Sequence, residues 1–330
     1  MSVRPIFLLS LPRSGSTLTQ RVLASHPAVA TAPEPWILLP LLYAVRERGA
    51  FAEYGHGAAA RAIKSFMSRV PGGTKAYRDE VRRLILGLYG RAAGEGRAYF
   101  VDKTPRYHFV VEELFELFPE AKFVFLWRNP LGVTASIVET WSGGRWNLER
   151  WRMDLFDGLG SLVEACRRHP EQAYAVRYED LVEDSNAAWP ALFSYLELEF
   201  DPQVLTAFSE IQITGRMGDS LGMQRYRSLS TEPLEKWRAT VSRSALRREW
   251  CRRYLEWIGE DRLELMGYRL EELLAELRSL PAGMGSAAAD ARSIAYGRLG
   301  RAGRERAAAL LWSGAAAPWT QKSSSRPSNE

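Results

Sequence analysis

The stretch that most constrains the fold lies near the start. Pro5-Ile-Phe-Leu-Leu-Ser10 is a continuous apolar run, the pattern of a strand buried on both faces. It breaks at Leu11-Pro-Arg-Ser-Gly-Ser-Thr17, a turn of small residues carrying Arg13. Leu18 and Arg21-Val-Leu23 then give about three helical turns, stopped by His26-Pro27. Strand, small-residue loop and helix open those α/β folds that hold phosphate at a helix N-terminus.

The order recurs. Tyr99-Phe-Val101 reads as a strand ending at Asp102-Lys103-Thr104-Pro105. Phe109 to Phe118 has helical spacing, Lys122 to Trp127 is another buried strand, Leu131 to Trp141 a helix, and Ala173 to Tyr178 a further strand. Strands separated by helices predict an α/β architecture, a P-loop-like parallel sheet flanked by helices. The segments 36–96 and 143–169 read as helical caps. Ligands of such sheets bind at the carboxyl ends of the strands, where Arg13 to Thr17, Lys103, Arg128 and Tyr178 fall.

Composition narrows the classes. At 330 residues, 46% hydrophobic and 25% charged, the chain has globular usage rather than that of a disordered or fibrous one. Two cysteines are too few for a disulfide framework, and four histidines without HxxxH spacing give no zinc site. Net charge is +5, but seven basic and three acidic residues lie beyond residue 280. The body is near neutral, so its charge gives no reason to expect nucleic acid as a partner. The longest apolar candidate, 36–45, is about half a membrane span and contains Pro40. Without a signal-peptide pattern, a cytoplasmic location is expected. One domain over 1–280 and a weakly ordered, Ala/Gly/Ser/Arg-rich basic tail over 281–330 are expected; Arg298 to Trp312 could also form a surface helix.

A nucleotide-hydrolysing P-loop reads GxxxxGK[ST]. With its second glycine on Gly15, Thr17 fits, but Ser16 replaces the lysine and Ser10 the first glycine. The remaining set is Arg13, the hydroxyls of Ser14, Ser16 and Thr17, and backbone N–H groups. It suits a dianion better than a metal-held triphosphate. A plain serine-capped strand–helix junction stays open as the bland reading. A P-loop kinase or phosphotransferase and a non-catalytic nucleotide-binding protein stay open as other functions.

Pro12-Arg-Ser-Gly-Ser-Thr-Leu18 resembles the 5′-phosphosulfate loop of sulfotransferases that use 3′-phosphoadenosine 5′-phosphosulfate (PAPS). The resemblance continues with Arg128 and, eight residues on, Ser136, matching that family's 3′-phosphate motif. Glu34 follows Arg13 by 21 residues, past His26-Pro27 and within Pro33-Glu-Pro-Trp36, as in the tyrosylprotein and Golgi carbohydrate branches. Asp102-Lys103-Thr104-Pro105, Arg177-Tyr178-Glu179 and Glu235-Lys236-Trp237 resemble later segments of the tyrosylprotein branch, in the family's order. The resemblance covers about Ile6 to Trp237 and implies a sulfotransferase fold with PAPS as co-substrate and no metal. It implies Arg13, Ser14, Gly15, Ser16, Thr17, Arg128, Ser136 and Tyr178 as donor-binding residues. Glu34 would be the general base for an acceptor hydroxyl, with Arg13, Lys103 and Lys236 as catalytic cations. The acceptor would be a small molecule or glycan.

The chain departs from the family at Thr140, where an arginine is expected; Arg225 or Arg227 would complete the 3′-phosphate grip. Ser220 is the nearest match to a serine that pairs with the late lysine, and Leu221 to Ser230 would cover the nucleotide. His108 competes with Glu34 as base, but lies five residues after Lys103 rather than two. Trp141, Trp146 and Trp151 are read mainly as packing, with stacking on an acceptor as the alternative.

Overall fold

The computed structural model describes residues 3–213, 228–281, 283 and 286–314, with backbone alone after residue 300 except at Gly303. Within these, five strands form one sheet: β1 (Arg4–Leu9), β2 (Val29–Thr31), β3 (Tyr99–Asp102), β4 (Lys122–Trp127) and β5 (Ala173–Arg177). Their order is β2-β3-β1-β4-β5, and every pairing is parallel. Each connection therefore crosses a face of the sheet through helices. From β1 the chain runs to one side of the sheet, and from β4 it runs to the other. The carboxyl ends of β1 and β4 thus flank the switch point, the place where such sheets open a crevice.

The sheet is buried on both sides, which is why its strands read as unbroken apolar runs. Phe7, Phe100, Phe123 and Phe125 belong to an aromatic layer on one face. Phe7 lies opposite Phe123 in register, and their rings stack with centroids 5.5 Å apart. Ile6, Leu8, Val101, Val124 and Leu126 form the second face, packed with Leu18, Val22, Trp189 and Phe193 from the helices Ser16–Ala24 and Ser185–Tyr195. Each such side chain contributes roughly 1.5–3 kcal/mol by burial. The cap segments hold the helices Leu38–Tyr43, His56–Met67 and Gly73–Ala93, then a π-helical turn at Met153–Gly158 leading into the helix Leu159–Arg168.

Three local expectations need correction. The strand β2 was not expected; it has three residues, too few to show a period, and exists through pairing with β3. The helix expected from Phe109 starts at Val111, after a 3₁₀ turn over Pro105–Phe109 that begins at the proline. The weak order expected from residue 281 does not hold for Ala287–Gly314, which is helical. Alanine favours helix over disorder, and Asp290 anchors this helix. Its carboxylate accepts from Arg247 Nε and Nη2, both at 2.8 Å, and from Ser244 at 2.6 Å. Residues 315–330 lie outside the described residues. No helix among the described residues is long and apolar enough to cross a membrane.

Candidate active site

The loop after β1 turns sharply because Arg13 (φ 70°) and Gly15 (φ 91°) both adopt the left-handed conformation. Gly15 is required twice over: its φ favours glycine, and an added Cβ would overlap the Tyr178 ring. Arg13 has no such freedom, so its conformation costs about 1 kcal/mol or more. The helix Ser16–Ala24 then starts at Gly15 with no side-chain cap. The serine-capped junction is thus not the one formed. Its first-turn N–H groups lie at the carboxyl edge of the sheet, with Ser14, Ser16 and Thr17 buried around them. An uncapped helix start ringed by hydroxyls is a fitting seat for a phosphate-like group.

Arg128 follows β4 directly. It donates to the carbonyls of Arg13 at 2.9 Å and Pro233 at 3.0 Å. Its guanidinium lies 4.7 Å from the centre of the Tyr178 ring. Arg13 Nε donates to Ser136 Oγ at 3.2 Å. Arg13, Arg128, Ser136, Thr140 and Lys236 line one cleft of about 590 Å³. Lys236, on the helix Glu232–Val241, pairs with Glu232 at 2.9 Å on the exposed rim. Thr140 does line this cleft, and its neighbour Glu139 is held by Thr240 at 2.9 Å and Arg243 at 3.2 Å. Ser220, Arg225 and Arg227, with most of the expected covering loop, lie outside the described residues; Ser228 and Ser230, at the end of that loop, line the cleft.

A second group lies one strand over, where β3 ends beside β1 with Asp102 opposite Phe7. Lys103 Nζ donates to Glu34 Oε1 at 2.6 Å, and both side chains are nearly buried, 4% and 11% exposed. The Trp36 indole N–H donates to Glu34 Oε2 at 3.1 Å. Asp102, wholly buried, accepts from Tyr89, from Tyr107 at 2.8 Å and from Thr104 at 2.9 Å. Burial pushes its carboxyl up to about 6, against the lowering effect of those three hydroxyls. Glu34 and Lys103 are therefore together, whereas Arg13, Arg128, Ser136 and Lys236 form the neighbouring cleft.

His108 is buried against Phe109 and Gly158, with Nε2 3.5 Å from Asp154 Oδ1. Trp146 is core, edge-on to Trp250 at 5.7 Å. Trp141 differs: it is 43% exposed, its ring lies tilted against Trp151 with centroids 4.5 Å apart, and the Arg13 guanidinium sits 5.6 Å from its ring centre. Sequence reasoning missed Trp36, Tyr89, Asp102 and Thr104 as parts of the Glu34 environment. The available signal was Asp102 itself, an acid closing an otherwise apolar strand.

The sequence profile of the Sulfotransferase family matches residues 5–202, and the chain belongs to that family. The nodulation protein NoeE of Sinorhizobium fredii is 35% identical over 182 residues, 53% of this chain and 40% of NoeE. The omega-hydroxy-beta-dihydromenaquinone-9 sulfotransferase Stf3 of Mycobacterium tuberculosis is 28% identical over 109 residues, 29% of this chain and 28% of Stf3. The chain thus matches less than half the length of either relative. Among solved structures, the sulfotransferase domain from the curacin biosynthetic pathway is 22% identical. It aligns with a TM-score of 0.48, covering 72% of this chain and 91% of that domain.

Proposed function

We propose that this chain is a PAPS-dependent sulfotransferase that moves a sulfuryl group onto a hydroxyl of a carbohydrate, phenol or other small molecule. One observation carries the reading. The side chains of Arg13, Arg128, Ser136 and Lys236 line one cleft, and Arg13 belongs to the loop that leads from the carboxyl end of β1 into an uncapped helix N-terminus. In this reading Ser14 to Thr17 and Arg13 hold the 5′ end of the donor, and Arg128 with Ser136 holds its 3′-phosphate. Tyr178 supports both, lying against Gly15 and under Arg128. The family membership and the missing P-loop lysine favour this donor over ATP.

When bound, PAPS supplies a sulfuryl group on a phosphate leaving group. The chain's own part is positioning, proton removal and charge neutralisation. Glu34 takes the proton of the acceptor hydroxyl as the oxygen–sulfur bond forms. Each of its oxygens already accepts one hydrogen bond, from Lys103 and from Trp36. A carboxylate oxygen has a second lone pair, so a hydroxyl can still be received. Arg13, Lys103 and Lys236 face the negative charge that builds on the transferring group and the departing oxygen.

The direct test is mass spectrometry of phenol, hexose and aliphatic alcohol acceptors incubated with the protein and PAPS. The expected result is an acceptor gaining the mass of one sulfuryl group. Transfer of a phosphoryl group from ATP instead would overturn the reading in favour of a kinase.

A further inference from the structure

We propose that Asp102 is a positioning residue: through Thr104 and Trp36 it sets where Glu34 and Lys103 stand. The inference rests on the roles just given to Glu34 and Lys103. A buried carboxylate is a poor choice for stability alone, since an apolar residue of similar size avoids the desolvation cost. Here three hydroxyls from separate segments converge on it: Tyr89 from the helix Gly73–Ala93, Tyr107 from the 3₁₀ turn, and Thr104 from the strand exit. Among the described residues, these three and the adjacent Lys103 are the polar or titratable groups that act on it.

The hydroxyl of Thr104 is used twice. It donates to Asp102 Oδ1 at 2.9 Å and accepts from the Trp36 backbone N–H at 3.4 Å. Trp36 sits at φ 55°, a conformation that costs a non-glycine residue about 1 kcal/mol or more unless neighbours hold it. Held there, its indole reaches Glu34 Oε2, while Lys103 reaches Glu34 Oε1. The contacts close a ring from Asp102 through Thr104, Trp36, Glu34 and Lys103 back along the chain to Asp102. Both oxygens of Glu34 are thereby fixed by groups that Asp102 places. Asp102 has no need to touch donor or acceptor to affect the rate.

The test uses the full chain with Asp102→Asn, Thr104→Val and Thr104→Ser. Three quantities are compared with wild type: the Kd of 3′-phosphoadenosine 5′-phosphate (PAP), the single-turnover rate from saturating PAPS to p-nitrophenol, and the crystal structure. Asp102→Asn and Thr104→Val are expected to slow turnover at least about tenfold, with the Kd of PAP changed less than about threefold. Thr104→Ser, which keeps the hydroxyl, is expected to restore the rate to within about threefold of wild type. The Thr104→Val crystal should show the Trp36–Glu34 contact broken. Lower thermal stability with unchanged rates, or an intact Glu34–Trp36–Lys103 arrangement in Thr104→Val, would overturn the proposal. If Asp102→Asn does not fold, the Thr104 pair decides. Failure of wild type to bind PAP would instead count against the sulfotransferase reading, and the crystal comparison would still judge the ring.

Discussion

Arg128 donates a hydrogen bond to the backbone carbonyl of Arg13 at 2.9 Å. The end of β4 is thereby tied to the loop after β1, which joins the two proposed donor-binding segments. A ligand that bridges them stabilises the folded state through both. PAP at a hundredfold excess over its Kd should add about 2.7 kcal/mol to stability, read as a rise in Tm. ATP with Mg²⁺ should produce a much smaller rise; an equal one would favour a kinase.

Replacing Arg128 separates affinity from rate. Arg128→Ala is expected to weaken PAP binding by roughly 1.5–3 kcal/mol, the value of a hydrogen bond to a charged group. The rate at saturating PAPS should change far less, because the 3′-phosphate is remote from the reacting sulfur. Calorimetric titration with PAP and single-turnover kinetics check the two halves. Unchanged affinity with a collapsed saturated rate contradicts the placement.

Glu34→Gln keeps shape and removes basicity. The saturated rate should fall about 10²–10⁴-fold, the range for a positioned acid–base group, with the Kd of PAP nearly unchanged. His108→Gln is the control, since His108 is packed against Gly158 and Phe109 in the cap. A dead His108→Gln beside a near-normal Glu34→Gln would move the base to the histidine.

Gly15→Ala tests the close approach of Tyr178. The new methyl overlaps the ring, and the left-handed φ of 91° adds backbone strain. The expected loss is about 1–3 kcal/mol of stability, seen as a lower midpoint in urea. In a Tyr178→Ala background the overlap is gone, so the same Gly15→Ala change should cost less there than in wild type. Full additivity of the two changes would show that the ring and residue 15 are not in contact.

The buried carboxyl of Asp102 makes a prediction about pH. Its folded value of about 6 lies above the ordinary 3.8, so between these values the folded state binds more protons than the unfolded one. Its contribution to stability therefore falls as pH rises from about 4 to about 6, and is level above that. Wild type should lose up to about 3 kcal/mol relative to Asp102→Asn across this window. Urea unfolding of both proteins at several pH values checks the sign; wild type gaining stability relative to Asp102→Asn as pH rises would reverse it.

How much of this was legible in the sequence depended on how local the cause was. The run Lys122 to Trp127 gives the strand with its observed boundaries, because every residue of β4 is buried. Arg13 and Arg128 were legible as donor-site candidates because strand ends and small-residue loops mark where ligands sit, whereas Ser136, inside the helix Pro130–Trp141, was named only through the family resemblance. The surroundings of Glu34 were not legible. Trp36 and Thr104 are 68 residues apart, and Tyr89 and Asp102 are 13 apart on different elements. No local period encodes such pairings. The helix from Ala287 was missed for another reason. Alanine, glycine and arginine resemble a solvated tail until one aspartate, Asp290, meets a buried partner.

That partner, Arg247, shows that the unit of recognition and the unit of folding differ. The family profile ends at residue 202, and every residue assigned to the donor or to the proton lies before residue 240. A chain shortened to residue 280 would keep all of them and lose Asp290. Arg247, 2% exposed, would then keep its charge inside the protein without its counter-ion, a defect on the order of 3–5 kcal/mol. The same guanidinium donates to the carbonyls of Thr240 at 3.0 Å and Gly144 at 2.9 Å. The brace shared by the helix that carries Lys236 and the turn after Trp141 would remain, but without the carboxylate that orients it. A chain ending at residue 280 is therefore expected to unfold at lower urea than the full chain, although the segment matched by the family profile is intact.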